Sequence, residues 1–320
     1  MNKNLNSYSK DKMKFISLIF IYFVNIFLIT SCTNKNAIDD NSGKPFVLTT
    51  FTILADLASN VAGDRLSVRS ITKPGAEIHG YQFTPSDIIR SKGAKLIIEN
   101  GLGLESWISQ FVNSAGNIPK VKLTEGMKVL TIEGDVYAGK PNPHAWMSPK
   151  RAIHYVDKIL EAFIKIDPEG KLEYKSNASA YKAKLESLDE ELRNSLSLIP
   201  KERRVLVTCE GAFSYLAHDY GMDEAYLWPV NSESQVTPKR MVNLIEKIKK
   251  NNVPTIFCES TGSSKAQREV AKATGANFGG IFYVDSLSEA DGPAPTLIDL
   301  QKHNVRLISE GLSSNSIKDK

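Results

Sequence analysis

The chain has 320 residues, long enough for two ordinary domains with a sizeable core in each, and nothing in its composition points to disorder or a repeat array. Of its 40 Lys and Arg and 36 Asp and Glu, four lysines (Lys3, Lys10, Lys12, Lys14) and one aspartate (Asp11) precede Cys32, which leaves 36 basic and 35 acidic residues, net +1, for the folding part. That near-neutral balance, without a basic cluster interleaved with aromatics, excludes nucleic acid as a partner.

Residues 1–31 read as a signal peptide. A lysine-bearing start leads into FISLIFIYFVNIFLI, an apolar run of fifteen residues interrupted only by Ser17 and Asn25. A spanning helix needs about 20 residues. Ile29-Thr30-Ser31-Cys32 follows and resembles a bacterial lipobox, in which the cysteine is acylated and becomes the mature N-terminus. Cys32 is therefore the expected lipidation site, with an uncleaved anchor helix as the alternative. Either way the folded part is exported and tethered outside the cytoplasmic membrane. Residues 32–44, polar and without periodicity, form a flexible tether.

Order is expected from Pro45. The pattern predicts a buried strand at FVLTTF, a helix over ILADLASNVAG and a strand from Leu66 to Ile71. The loop KPGAEIHGYQF precedes a helix that Thr84 caps and Pro85 opens. KLIIEN is another strand, GLGLESWISQFVNSAG a loop and helix, and VKLT a further strand. This alternation makes residues 45–165 an α/β lobe with a mostly parallel sheet. Near its end, NPHAWMSP holds His144 between Pro143, which cannot donate to a sheet, and Pro149, a good first helical residue.

Helical pattern runs from Pro149 to about Lys165. A longer stretch, Pro168 to Ile199, repeats Tyr181, Leu185, Leu188, Leu192, Leu196 and Ile199 at three- and four-residue steps, a rod of roughly 45 Å. It is read as a stiff linking helix over 166–200. A coiled-coil arm fits less well, because the stripe lasts little more than two and a half heptads. In residues 201–320 the alternation resumes: strands at RVLVTC, EAYLWPV, PTIFCES and NFGGIFYVDS, and helices at AFSYLAHDYG, TPKRMVNLIEKIKKNN, SKAQREVAKATG and from about Pro295 to Gly311. The expected fold is α/β, with two lobes, each a mostly parallel sheet flanked by helices, joined by one long rigid helix. Its natural ligand site is the crevice at the carboxyl ends of the strands.

Four residues meet that geometric demand: His79 in a loop after a strand, His144 at the end of the first lobe, Glu210 after the strand ending at Cys209, and Asp285 after the strand Gly280 to Val284. Two neutral imidazoles and two carboxylates offset the charge of a divalent cation, and this mixture of nitrogen and hard oxygen suits Mn²⁺ or Fe²⁺ at least as well as Zn²⁺. Asp87, Glu259 and Arg268 are candidates to orient these ligands, against the plainer reading as caps or ion pairs. His154, His218 and His303 lie in helical patterns and are read as surface or packing residues. Cys209 and Cys258 end two strands of one lobe in an oxidising compartment, where they form a disulfide or, if reduced, two small buried hydrophobes.

IHGYQFTPSD, NPHAWMSP, TCEGAFSYLAHDYG and YVDSLSEADGPAPT, in this order, resemble the metal-site segments of the cluster A-I solute-binding proteins of ABC transporters, over nearly everything from Phe46 to Gly311. The resemblance implies a non-catalytic, monomeric, lipid-anchored protein that captures manganese, zinc or iron outside the cell and passes it to an ABC permease subunit. It implies His79, His144, Glu210 and Asp285 as the ligands. Zinc-dedicated members generally carry a histidine at the third position and a His-rich acidic loop near the first; with Glu210 and no such loop, the chain is similar to the manganese-type branch. It departs from many relatives at Glu77-Ile78, where a proline usually precedes the first histidine. Two other classes compete. A metallohydrolase would need an open coordination position and a nearby base, and a surface adhesin would hold its metal for structure.

Overall fold

The computed structural model describes residues 43–132, 137–230 and 236–313. The predicted signal peptide, Cys32 and all but the end of the tether lie outside the described residues.

In the first lobe, β1 (Phe46–Thr49), α1 (Thr52–Ala62), β2 (Ser67–Ser70), α2 (Pro85–Ser91), β3 (Ile97–Glu99), α3 (Ile108–Ala115) and β4 (Lys120–Lys122) follow one another. The strands form one parallel sheet in the order β2-β1-β3-β4. Val47, Leu48, Ile97 and Ile98 of the two central strands are buried, as expected where helices cover both faces. On α1, Ile53, Leu54, Leu57, Ala58 and Val61 make the apolar stripe that the sequence spacing predicts. The helix stops at Gly63, whose positive φ of 55° favours glycine and where a Cβ would lie 2.6 Å from Asn177 Nδ2. α2 opens with a capping box: Asp87 N donates to Thr84 Oγ1 and Thr84 N to Asp87 Oδ2.

α4 (Pro149–Ile166) follows, and a 3₁₀ turn at Pro168–Gly170 leads into the long α5 (Lys171–Ser197). The long helix starts slightly later than its pattern predicts because that turn takes its first three residues. Its 27 residues span about 40 Å. Tyr174, Ala178, Tyr181, Leu185, Leu188, Leu192 and Leu196 are all buried along it. This stripe faces the protein's own core, which rules out a free coiled-coil arm. Each fully buried leucine contributes about 1.5–3 kcal/mol of transfer free energy.

The second lobe holds β5 (Val205–Glu210), α6 (Ser214–Tyr220), β6 (Asp223–Trp228), α7 (Pro238–Lys250), β7 (Thr255–Glu259), α8 (Lys265–Thr274), β8 (Asn277–Phe282) and α9 (Leu297–Ser313). Its parallel pairing is divided into two ladders, β5 with β6 and β7 with β8. β5 and β7 lie side by side, joined by a Cys209–Cys258 disulfide with 4.9 Å between the Cα atoms. Two of the boundaries that differ from the sequence expectation bear on the crevice. β5 runs on through Glu210, which pairs with Trp228. β8 ends at Phe282, because Asn304 on α9 takes over the backbone of Tyr283, accepting from its N–H and donating to its carbonyl. One hydrophobic core runs from Val47 in β1 through α4 and α5 to Phe257, Phe282 and α9, so both lobes share it.

Candidate metal centre

The four predicted residues come from four different segments, and the structure brings them together. His79, in the loop after β2, is 6% exposed. Glu77 fixes this loop: one carboxylate oxygen accepts from His79 N and the other from Gly80 N, each at 2.7 Å. Trp107 Nε1 also donates to the Ile78 carbonyl at 2.9 Å. A carboxylate clamp thus stiffens the loop around His79. His144 is fully buried where the chain enters the 3₁₀ turn Ala145–Met147 ahead of α4, with its ring 5.1 Å from Trp146 and 5.3 Å from His79.

Glu210 is the last residue of β5, and its backbone N–H donates to the buried Glu259 Oε2 at 3.3 Å. Asp285 lies three residues beyond β8 in a strap held to the first lobe: Gly75 N donates to Ser286 Oγ at 2.7 Å and Leu287 N to Thr52 Oγ1 at 2.9 Å. Trp146 Nε1 donates to the Val284 carbonyl at 2.9 Å, and Thr261 Oγ1 reaches Asp285 Oδ2 at 3.4 Å.

Ligating atoms of His79, His144 and Asp285 all lie within 4.8 Å of one another, and the Glu210 carboxylate reaches both imidazoles. His79 Nε2 is 3.4 Å from Glu210 Oε1 and 3.8 Å from Asp285 Oδ2; His144 Nε2 is 3.7 Å from the same Glu210 oxygen and 3.6 Å from Asp285 Oδ1. A tetrahedral edge is about 1.6 bond lengths, so donors bonded to one ion at about 2.1 Å stand about 3.5 Å apart. All four separations fall near that edge and exceed a normal hydrogen bond. His79 Nε2, His144 Nε2 and Asp285 Oδ1 are buried and have no hydrogen-bond partner among the described residues. Such groups are costly to bury unless something compensates them, and a cation at their common centre would do so.

The electrostatics match. Burial pushes the His79 pKa down to about 3. Burial, then the nearness of His79, holds His144 well below the ordinary histidine range. Both rings are therefore neutral at pH 7 and can offer a lone pair. Burial, then the charge of Glu77, pushes Asp285 up to about 7. A bound cation reverses this penalty and favours the carboxylate.

Of the candidate orienting residues, Glu259 adjoins the centre, but Asp87 is committed to capping α2 and to Arg90, and Arg268 is exposed over the Phe278 ring. The other histidines stand apart: His154 bonds the Glu125 carbonyl, His218 is exposed beside Asp219, and His303 bonds the Ile281 carbonyl. Periodicity and strand ends in the sequence assign no role to Asn142 or to the Glu77 clamp. For Asn142 a local signal existed, since an asparagine two residues before a histidine can accept from it.

Comparison with known proteins gives the family. Residues 47–311 match the family described as zinc-uptake complex component A, periplasmic. The chain is 46% identical over 295 residues to the iron-binding protein YfeA of Yersinia pestis, covering 92% of this chain and 95% of that protein. It is 32% identical over 307 residues to the manganese ABC transporter substrate-binding lipoprotein PsaA of Streptococcus pneumoniae, covering 94% and 99%. The solved Mn-bound periplasmic metal-binding protein of Candidatus Liberibacter asiaticus superposes with a TM-score of 0.78 at 36% identity, over 84% of this chain and 100% of that one. A buried crevice of two imidazoles and two carboxylates, in a two-lobed α/β frame with these relatives, establishes that the chain belongs to the zinc-uptake complex component A family, the cluster A-I metal-binding substrate-binding proteins of ABC transporters.

Proposed function

We propose that the protein captures Mn²⁺ in the crevice between its lobes, with His79, His144, Glu210 and Asp285 as ligands, and delivers the ion to an ABC permease without catalysing a reaction. The metal is cargo. The observation that carries this reading is the buried cluster of His79, His144 and Asp285, whose ligating atoms lie within 4.8 Å of one another, with Glu210 Oε1 3.4 and 3.7 Å from the two imidazoles. Manganese is favoured by the donor set, since two carboxylates beside two imidazoles suit a harder ion than a thiolate or all-histidine set does. Export through residues 1–31, acylation at Cys32 and a monomer held outside the cytoplasmic membrane by a tether over 32–44 complete the proposal. Domain limits of 45–165, 166–200 and 201–320 belong to it as well.

Iron is the competing cargo, favoured by the 46% identity to a relative named for iron; Zn²⁺ accepts the same donors. Metal analysis of the protein purified from its native host without chelators distinguishes them: manganese at one equivalent supports the proposal, and iron or zinc in its place overturns the choice of ion. For the ligands, His79→Ala and Asp285→Ala are each expected to weaken Mn²⁺ binding by orders of magnitude in calorimetric titration, with far-UV circular dichroism nearly unchanged. Full-affinity binding by either variant removes that residue from the site.

A further inference from the structure

Asn142 has every polar group engaged and is 1% exposed. Its backbone N–H donates to the Leu130 carbonyl and its carbonyl accepts from Tyr215 Oη of the second lobe. The side-chain Nδ2 donates to the Gly211 carbonyl at 2.7 Å and to Ser214 Oγ at 3.1 Å. Oδ1 accepts from His144 N at 3.1 Å and lies 2.9 Å from His144 Nδ1.

The orientation of this amide follows from its neighbours. A backbone carbonyl can only accept, and the Ser214 hydroxyl proton is directed to Glu224 Oε2 at 2.6 Å. Two acceptors therefore face one end of the Asn142 side chain, and that end must be the NH₂. Oδ1 is left facing His144, whose backbone N–H donates to it. With an acceptor opposite, His144 Nδ1 carries the ring proton, and the lone pair falls on Nε2, the nitrogen 3.7 Å from Glu210 Oε1 and 3.6 Å from Asp285 Oδ1.

We propose that Asn142 is a positioning residue that transmits the placement of the second lobe to His144: the Gly211 carbonyl, next to Glu210, orients the amide, and the amide sets the tautomer and direction of the imidazole. The inference rests on the ligand set proposed above. One side chain then ties a first-lobe ligand to the turn that follows a second-lobe ligand, so His144 is ready to bind only when both lobes are in place. His79 has no such device, since neither of its ring nitrogens has a hydrogen-bond partner among the described residues.

The test uses long-range ¹H–¹⁵N spectra of histidine rings in the metal-free protein, with calorimetric titration of Mn²⁺ and Zn²⁺. In the wild type His144 is expected as the Nδ1–H tautomer. Asn142→Ala should release it toward the Nε2–H form and raise the dissociation constant for both ions about 10–100-fold, the usual effect of losing an outer-shell partner. Asn142→Asp keeps the acceptor for His144 but sets an oxygen against the Gly211 carbonyl. It should preserve the tautomer while hastening metal release to a chelator. A wild-type His144 in the Nε2–H form, or an alanine variant with unchanged tautomer and affinity, overturns the inference; should the alanine variant not fold, the wild-type spectrum and the aspartate variant decide it. Because the tautomer is read without metal, a wild-type protein that binds neither ion overturns the ligand assignment, whereas the wrong tautomer in a protein that binds Mn²⁺ normally overturns this inference alone.

Discussion

Asp219 shows how a single carboxylate can join the lobes. It lies on α6, and Arg151 on α4 grips it with two N–H donors at 2.9 Å, while Ser148 Oγ donates at 2.7 Å. Burial raises its pKa, but the bonds from Arg151, His218 and Ser148 outweigh burial and hold the carboxyl well below the usual range. The folded pKa is thus lower than the unfolded value of about 3.9, so the stabilisation is fully present above that value and is lost as pH falls toward the folded pKa. Asp219→Asn is expected to cost roughly 1–3 kcal/mol at pH 7, with the deficit shrinking below about pH 4. Denaturant melts of both proteins at pH 7 and pH 3.5 check this, and an equal deficit at the two pH values contradicts it. The proposed ligands His79, His144, Glu210 and Asp285 could be picked out in the sequence because each lies at or just beyond the end of a strand or near the end of an α/β lobe, where such folds place ligands. Asn142 and Asp219 could not be assigned roles that way, because their partners lie about 70 residues further along or further back.

Among the elements, α5 carries the most weight. Leu185 and Leu188 are buried within the core that both lobes share. Leu185→Ala should destabilise the protein by about 2–5 kcal/mol, measured as a lower denaturation midpoint, without altering the metal ligands. A cost below about 1 kcal/mol would mean that the helix face is not a packed seam. The Cys209–Cys258 disulfide closes a loop over a sequence separation of 49 residues, which the chain-entropy model values at about 4 kcal/mol. Cys258→Ser should lose a comparable amount in chemical denaturation. Most elements were legible in the sequence from periodicity and from Thr-Pro helix starts, as at Thr84 and Thr237. What escaped was set by tertiary contacts: Asn304 ends β8 two residues before the expected last residue Val284, and a 3₁₀ turn takes the beginning of the long helix.

At the scale of the whole molecule, the shared core, the long helix and the strap around Ser286 all resist a wide hinge. Metal-free and Mn²⁺-loaded protein should scatter X-rays almost alike, and a change of several ångströms in radius of gyration would contradict a frame this constrained. Removing the ion should loosen the crevice and leave the fold intact; global unfolding on chelation would instead favour a structural metal, as in an adhesin.

The most direct measurement is an anomalous difference map at the manganese edge from crystals of the Mn²⁺-loaded protein. One dominant buried peak is expected about 2–2.5 Å from His79 Nε2, His144 Nε2 and carboxylate oxygens of Glu210 and Asp285. A manganese peak elsewhere, or one that leaves any of these four side chains uncoordinated, would contradict it.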